Sequence, residues 1–115
     1  MTARPVSDDE ILYRRVSWDQ IVEGKITSGV FRTTHIDGCS TFPAFHVSAE
    51  DCVAGFAAKG LVSVTGADVK ASGAEAIRDA ADPSHVLIVG KGKRFPKELA
   101  SRARLVVAPS PPSGT

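Results

Sequence analysis

The stretch Ser84–Ala108, SHVLIVGKGKRFPKELASRARLVVA, decides how the rest of this chain can be arranged. It predicts a strand at His85–Val89, a turn of glycines and cations at Gly90–Arg94, a helix over Pro96–Arg104, and a second strand at Leu105–Ala108. The runs VLIV and LVVA within these strands are apolar at every position, which is typical of strands covered on two faces. The stretch is therefore expected at the centre of a sheet.

Three further helix starts are predicted by one repeated capping pattern. In each case a serine or threonine is followed three residues later by an acid or amide, and apolar residues flank the group. The pattern begins at Ser17, Ser48 and Thr65. The helix after Ser48 has the clearest apolar stripe, which extends from Ala49 to Ala57.

Strands are predicted at 11–16, 26–34 and 61–65, where β-branched, aliphatic and aromatic residues are concentrated. The alanines of 72–82 favour a helix, and an extended segment is the alternative because Gly73 weakens the helix start. Strands that alternate with short helices indicate an α+β domain. We expect a mixed sheet of about five strands covered by three or four short helices.

The length and composition of the chain indicate a single compact domain. The chain has 115 residues, of which 43% are hydrophobic, and its mean hydropathy is −0.01. These values are typical of one globular unit with an ordinary core. The domain is expected at 10–109, between flexible ends at 1–9 and 110–115, because both ends are polar or rich in proline, serine and glycine.

Charge and cysteine content narrow the class of protein. A formal net charge of +1 gives no global field that would attract the chain to DNA or to an anionic membrane. No apolar run approaches the roughly 20 residues that a membrane helix needs. Two cysteines are too few for a disulfide scaffold, and the first residues lack a charged segment followed by an apolar one. We therefore expect a cytoplasmic protein, and its alanine, glycine, valine and arginine content favours a bacterial one.

The glycine and cation turn is the first candidate site. It lies between a predicted strand and a predicted helix, where free amides and the helix dipole favour anions. Phe95 stands at the predicted cap position and has no oxygen with which to cap the first turn. The turn matches neither the dinucleotide fingerprint nor the Walker A loop, so a solvated cationic turn is the alternative. The predicted anion-binding residues are Gly90, Lys91, Gly92, Lys93, Arg94 and Lys97.

A second group contains the residue types used in catalysis and metal binding. The pair His35 and Asp37 has the spacing of two members of a two-histidine, one-carboxylate metal site, and a cysteine beside a histidine can act as nucleophile and base. The gaps between cysteines and histidines match no common zinc framework, so we expect no metal and no other cofactor. The catalytic candidates are His35, Asp37, Cys39, His46 and His85.

A third group suits contact with a partner. Alternate residues of a strand share a face, so Tyr13 and Arg15 are expected side by side. Aromatic and arginine side chains are common in binding hot spots, and they also stack on bases. The partner-binding candidates are Tyr13, Arg15, Trp18 and Arg104.

These features predict a small binding module rather than an enzyme. It is expected to dock a protein partner or a phosphate-bearing ligand through the basic strand-turn-helix segment 90–104. Nucleic acid is the less favoured ligand, because the chain has few aromatic residues and most of its phenylalanines are needed in the core. The alternative is a small hydrolase or metal-dependent enzyme that uses the catalytic candidates named above.

Overall fold

The fold is described by a computed structural model that covers residues 6–31, 39–44, 48–54, 59–78, 85–90 and 94–109. These residues form one α+β domain, which confirms the predicted fold class. The strands in chain order are β1 (Ile11–Val16), β2 (Ile21–Val22), β3 (Lys25–Ile26), β4 (Cys39–Pro43), β5 (Gly60–Thr65), β6 (Ala74–Arg78), β7 (Val86–Gly90) and β8 (Arg104–Val107). The helices are α1 (Ala49–Val53), α2 (Gly66–Ala71) and α3 (Phe95–Arg102), and short 3₁₀ turns lie at Trp18–Gln20 and Ser28–Val30.

Six of the strands form one sheet in the order β6-β7-β4-β1-β5-β8, while β2 and β3 form a separate hairpin. The sheet has six strands instead of about five, and each observed pairing is antiparallel instead of mixed. Two strands that α2 or α3 connects run in the same direction, so they would form a parallel pair if they were neighbours in the sheet. Because β5 and β6, and also β7 and β8, are separated by other strands, no parallel pair forms within the described sheet.

The predicted central position of the 84–108 stretch is wrong. The centre of the sheet is β4 and β1, while β7 lies second from one edge and β8 forms the other edge. In β8, Leu105 is 38% exposed and Val106 is 43% exposed. A strand that is apolar throughout is therefore not covered on both faces here.

One face of the six-stranded sheet, which we call the core face, is closed by α2 and α3. Leu12, Val62 and Ile88 are buried on this face in three different strands. Val69 of α2 and Leu99 of α3 are fully buried in the same cluster. These contacts between the sheet and two helices form the hydrophobic core.

The core face also contains a buried ion pair. Two oxygens of the Glu10 carboxylate accept hydrogen bonds of 2.6 and 2.7 Å from Arg78, and both side chains are less than one tenth exposed. A second ion pair, from Lys70 to Asp8 at 2.6 Å, is about two thirds exposed. Nearby, Val6 is also buried in the core. The proposed domain boundary at residue 10 stays a prediction.

The predicted capping pattern is confirmed in full at Thr65 and in part at Ser48, while the helix predicted to begin at Ser17 is wrong. The Thr65 hydroxyl accepts from the amide of Asp68 at 3.1 Å, and the Asp68 carboxylate accepts from the amide of Thr65 at 2.9 Å. The Ser48 hydroxyl caps α1 at 3.1 Å. Ser17 begins only a 3₁₀ turn, which its amide stabilises by donating to Gln20 at 2.8 Å. The predicted continuation of α1 over 55–58 lies outside the described residues.

The helix predicted at 72–82 is wrong, and the extended alternative is correct for β6. Gly73 ends α2 with a φ of +83°, a conformation that favours glycine, and the chain then leaves as a strand. Burial alternates along β6, where Glu75 and Ile77 are exposed between less exposed neighbours. Ala74 and Ala76 occupy the less exposed positions of this strand, so they do not form the face of a helix. Residues 79–82 lie outside the described part of the chain.

The strand predicted at 26–34 is also wrong in its described part. Ile26 ends β3, and a 3₁₀ turn over Ser28–Val30 brings Val30 and Phe31 into the core, where both are fully buried. The apolar residues Val30 and Phe31, which suggested a strand, therefore fill part of the core from a turn.

Within the described residues, no helix is long and apolar enough to cross a membrane.

Candidate functional site

A row of side chains crosses the outer face of the sheet, which is the face opposite the core face. Antiparallel pairing places Tyr13 of β1 opposite both Ser63 of β5 and Phe42 of β4. Ser63 in turn lies opposite Arg104 of the edge strand β8. Extending the pairing of β4 with β7 by one residue puts Phe42 opposite His85. We call this set the cross-sheet row: Arg104, Ser63, Tyr13, Phe42 and His85.

Ring contacts hold the middle of the cross-sheet row. The ring centroids of Phe42 and His85 are 6.4 Å apart, and the rings are tilted by 51°. The Arg15 guanidinium carbon lies 4.7 Å from the centroid of Phe42, which is a cation–π contact. Arg15 Nε also donates to the backbone oxygen of Cys52 at 2.5 Å, which fixes the guanidinium over the ring. Tyr13, Arg15, Phe42 and His85 are all half-buried.

Helix α1 closes one end of the outer face beside Arg15. Leu61, which pairs with Arg15, is fully buried there together with Cys52 of α1. Burial raises the pKa of the Cys52 thiol, the nearby Arg15 guanidinium lowers it, and the Asp51 carboxylate raises it; the net shift is upward. Cys52 is therefore a protonated thiol at neutral pH, and it has a packing role rather than that of a nucleophile.

A small cavity of about 250 Å³ lies at the Arg104 end of the row. Arg102 at the end of α3 and Arg104 at the start of β8 both line it, together with Ser63 of the row. Asp68 is the acidic residue in its wall, and its carboxylate accepts from the amide of Thr65 at the start of α2. The cavity therefore adds a second cation beside the row.

A larger groove of about 730 Å³ lies on another side of the molecule, between the β2–β3 hairpin and α3. We call it the α3 groove. Its apolar wall includes Val22, which is 53% exposed, Ala100 and Leu105. Lys25 of the hairpin and Lys97 of α3 line it from opposite sides. Among the described residues, neither lysine has an ion pair.

The hairpin wall of the α3 groove is fixed by local hydrogen bonds. Its turn is formed by Glu23 and Gly24, whose φ values of 52° and 77° match a tight two-residue hairpin turn. Behind the hairpin, the backbone oxygen of Gln20 accepts from the Thr27 amide at 3.1 Å and from the Thr27 hydroxyl at 2.7 Å. The Gln20 side chain donates to the Gly29 oxygen at 3.1 Å. The groove is therefore built between two supported elements.

The predicted anion-binding turn is only partly described. Gly90 ends β7, and a side chain at this position would overlap the ring of Phe95, so close packing explains this glycine. Arg94 caps α3 without a side-chain hydrogen bond, and Phe95 is the first helical residue instead of the cap. Lys97 lines the α3 groove. Lys91, Gly92 and Lys93 lie outside the described residues, so anion binding at the turn stays a prediction.

Of the five catalytic candidates, only His85 has a described side chain, so the catalytic set stays a prediction. His85 belongs to the cross-sheet row. The backbone of Cys39 begins β4, while its side chain lies outside the described part. His35, Asp37 and His46 also lie outside the described residues. Among the side chains that are described, no three His, Cys, Asp or Glu residues are placed to hold a metal ion.

Three of the four partner-binding candidates lie on the outer face. Tyr13 and Arg104 belong to the cross-sheet row, and Arg15 lies over it. Arg104 starts β8 because Ala103 has the extended conformation that ends α3, two residues before the predicted helix end. Trp18 is 49% exposed in a 3₁₀ turn, away from the row's pairing positions.

Sequence reasoning missed Phe42 and the α3 groove. No alternation of polar and apolar residues marks Phe42 in the sequence, and its half-buried position between buried Thr41 and Pro43 is visible only in the structure. Comparison with protein families, with curated proteins and with solved structures finds no match to this chain.

Proposed function

We propose that this chain is a small binding module, and that its α3 groove docks an acidic, partly apolar segment of a protein partner. The observation that carries the proposal is the combination of an apolar wall with one lysine from each of the two elements that line it. A cytoplasmic location and a bacterial origin belong to the same proposal. They rest on the two cysteines and on residue usage.

The size of the groove supports a segment of chain as the occupant. Ligand pockets in proteins commonly have volumes of about 300–1,000 Å³, and the α3 groove lies within that range. Val22 and Leu105 are large apolar side chains that stay more than one third exposed along it. A segment that covers them would remove apolar surface from water, which is the main source of affinity.

Charge favours an acidic occupant over a basic one. Lys25 and Lys97 outnumber Glu23, the acidic residue in the lining. A lysine at each wall can pair with carboxylates spaced along an extended chain. A phosphate-bearing ligand would use the same lysines, but it would leave the apolar wall uncovered. A protein segment therefore uses more of the groove.

Chemical-shift titration tests this proposal. The probe is a short peptide that alternates glutamate with leucine, and inorganic phosphate is titrated separately. We expect shifts at Lys25, Lys97 and Leu105 with the peptide. The double substitution Lys25→Gln with Lys97→Gln should weaken binding about 3- to 10-fold, because two partly screened ion pairs are lost.

The matched control removes the same charge elsewhere. Lys59 donates to the Ser17 hydroxyl and Lys70 pairs with Asp8, and neither lines the groove. Lys59→Gln with Lys70→Gln should leave peptide affinity unchanged. Equal binding of a peptide that alternates lysine with leucine would contradict the proposal. Shifts with phosphate alone, at the same residues, would favour a small phosphate-bearing ligand instead.

A further inference from the structure

The cross-sheet row is a second surface, separate from the α3 groove, and its chemistry is different. Neighbouring strands lie about 4.8 Å apart, so the row extends about 19 Å across five strands. The half of the row away from Arg104 consists of rings at three neighbouring strands: Tyr13, Phe42 and His85. Its cations are Arg15 above Phe42 and Arg104 at the edge. None of the side chains in the row is acidic.

We propose that the cross-sheet row binds single-stranded nucleic acid. The bases would stack against Tyr13 and against the plane of the Arg15 guanidinium, and the phosphates would lie toward Arg104. Aromatic rings and arginine planes on an open sheet are a sequence-tolerant surface for unpaired bases. The site goes beyond the docking function proposed for the α3 groove and does not depend on it.

The geometry of Arg15 supports stacking. One side of its guanidinium lies over the Phe42 ring, and its Nε donates to the Cys52 oxygen. The guanidinium is thereby held in a fixed plane beside Tyr13, which is two residues away on the same face of β1. A base placed there meets a pre-oriented plane, so little side-chain entropy is lost on binding.

The charge at the β8 end supports a phosphate. Arg102 and Arg104 line one cavity, and among the described residues neither has an ion pair. Asp68 in the same cavity is occupied by the amide of Thr65. Two arginines with planar donor groups are well suited to a phosphate oxygen pair. The near-neutral charge of the whole chain then predicts weak binding that depends on this local field.

Single strands fit this surface better than duplexes or acidic peptides. Bases in a duplex are already stacked and cannot reach the rings. An acidic peptide would engage the arginines but would not use the three rings on neighbouring strands. Use of the rings therefore distinguishes an unpaired strand from a duplex or an acidic peptide. Tyr13 is the ring that is substituted in the test.

Fluorescence anisotropy with a labelled oligouridylate and a labelled oligothymidylate measures the binding. We expect a Kd on the order of 10⁻⁵ to 10⁻⁴ M at low salt, with affinity about 5- to 10-fold weaker when salt rises from about 50 to 200 mM. Tyr13→Leu should weaken binding about 5- to 100-fold, because one stacked base is lost. Tyr13→Phe keeps the ring and should retain the affinity, which separates loss of stacking from loss of fold.

The role of charge is tested by two variants that each remove one positive charge, one in the cross-sheet row and one outside it. Arg104→Gln should weaken binding and reduce the salt dependence, while Lys70→Gln, which removes one cation from α2, should not. Binding of both oligonucleotides, or a preference for one of them, supports the proposal. Absence of binding at millimolar oligonucleotide overturns it, as does equal affinity for a duplex of the same length. An acidic peptide bound as tightly, with no loss on Tyr13→Leu, would also overturn it in favour of a protein partner.

Discussion

The two faces of the six-stranded sheet differ although they are built from the same strands. In β1, Leu12 and Val16 point to the core face and are buried, while Tyr13 and Arg15 point to the outer face and stay half-buried. Helices α2 and α3 close the core face. Among the described elements, only the short α1 covers the outer face, beside Arg15.

We expect this difference to separate stability from the binding proposed for the outer face. Side chains on the core face form a continuous cluster, so changes there should mainly alter the free energy of unfolding. Side chains of the cross-sheet row keep contact with solvent, so changes there should mainly alter binding. Substitutions that compare the two faces can test this division.

The largest effect is expected at the buried ion pair of the core face. Glu10→Gln removes the carboxylate charge that pairs with the buried Arg78 guanidinium, so the free energy of unfolding should fall by about 3–5 kcal/mol. The matched control is Glu75→Gln in the same strand as Arg78, on the exposed side, with an expected change within about 0.5 kcal/mol. Urea denaturation measures both. An equal loss of stability in the two variants would contradict the prediction that the core face of β6 matters more for stability than its exposed face.

A smaller effect is expected from the helix caps that belong to the two faces. Thr65→Ala should destabilise the domain by about 1–2 kcal/mol, because it removes one bond of the reciprocal pair at the start of α2. Ser48→Ala should cost about 0.5 kcal/mol, because its bond is exposed and α1 is short. Thermal unfolding measures the loss of stability in the two variants, and we expect the larger loss in Thr65→Ala. A larger loss in Ser48→Ala would contradict the prediction.

The smallest effect concerns the reactivity of Cys52, which α1 places against the outer face of the sheet. Its pKa is raised, so the thiolate fraction at neutral pH is below that of an ordinary cysteine. Alkylation at Cys52 should therefore be slow at neutral pH, and it should accelerate as pH rises through values above those of a free thiol. Peptide mapping by mass spectrometry follows Cys52 separately from Cys39. Rapid alkylation at neutral pH in the folded state would contradict the burial of this thiol.

Features that depend on local sequence could be predicted. The caps at Thr65 and Ser48 were recognisable because donor and acceptor lie within three residues of each other. The α+β class followed from the alternation of strands and helices. A helix was favoured over the extended alternative at Ala74–Arg78 because alanine favours helices, whereas the positive φ of Gly73 and tertiary pairing with β7 decide the outcome.

Features that depend on strand order could not be predicted. An apolar run such as Leu105–Val107 has the same pattern at an edge as at the centre of a sheet, because the pattern does not record which strands are neighbours. The common face of Tyr13 and Arg15 followed from the period of a strand. Their proximity to Phe42 and His85 required the register of β4 between β1 and β7, which no local signal specifies.

The central position of β1 has a consequence for the order in which the chain acquires structure. β1 is an early strand, yet Ile11 pairs with Thr65, and the other neighbour of β1 is β4. During synthesis β1 must therefore wait for much of the chain before its hydrogen bonds close. Such non-local pairing slows folding to roughly milliseconds to seconds. Until β5 emerges from the ribosome, β1 lacks one of its two partner strands, and an unpaired strand edge of this kind favours aggregation.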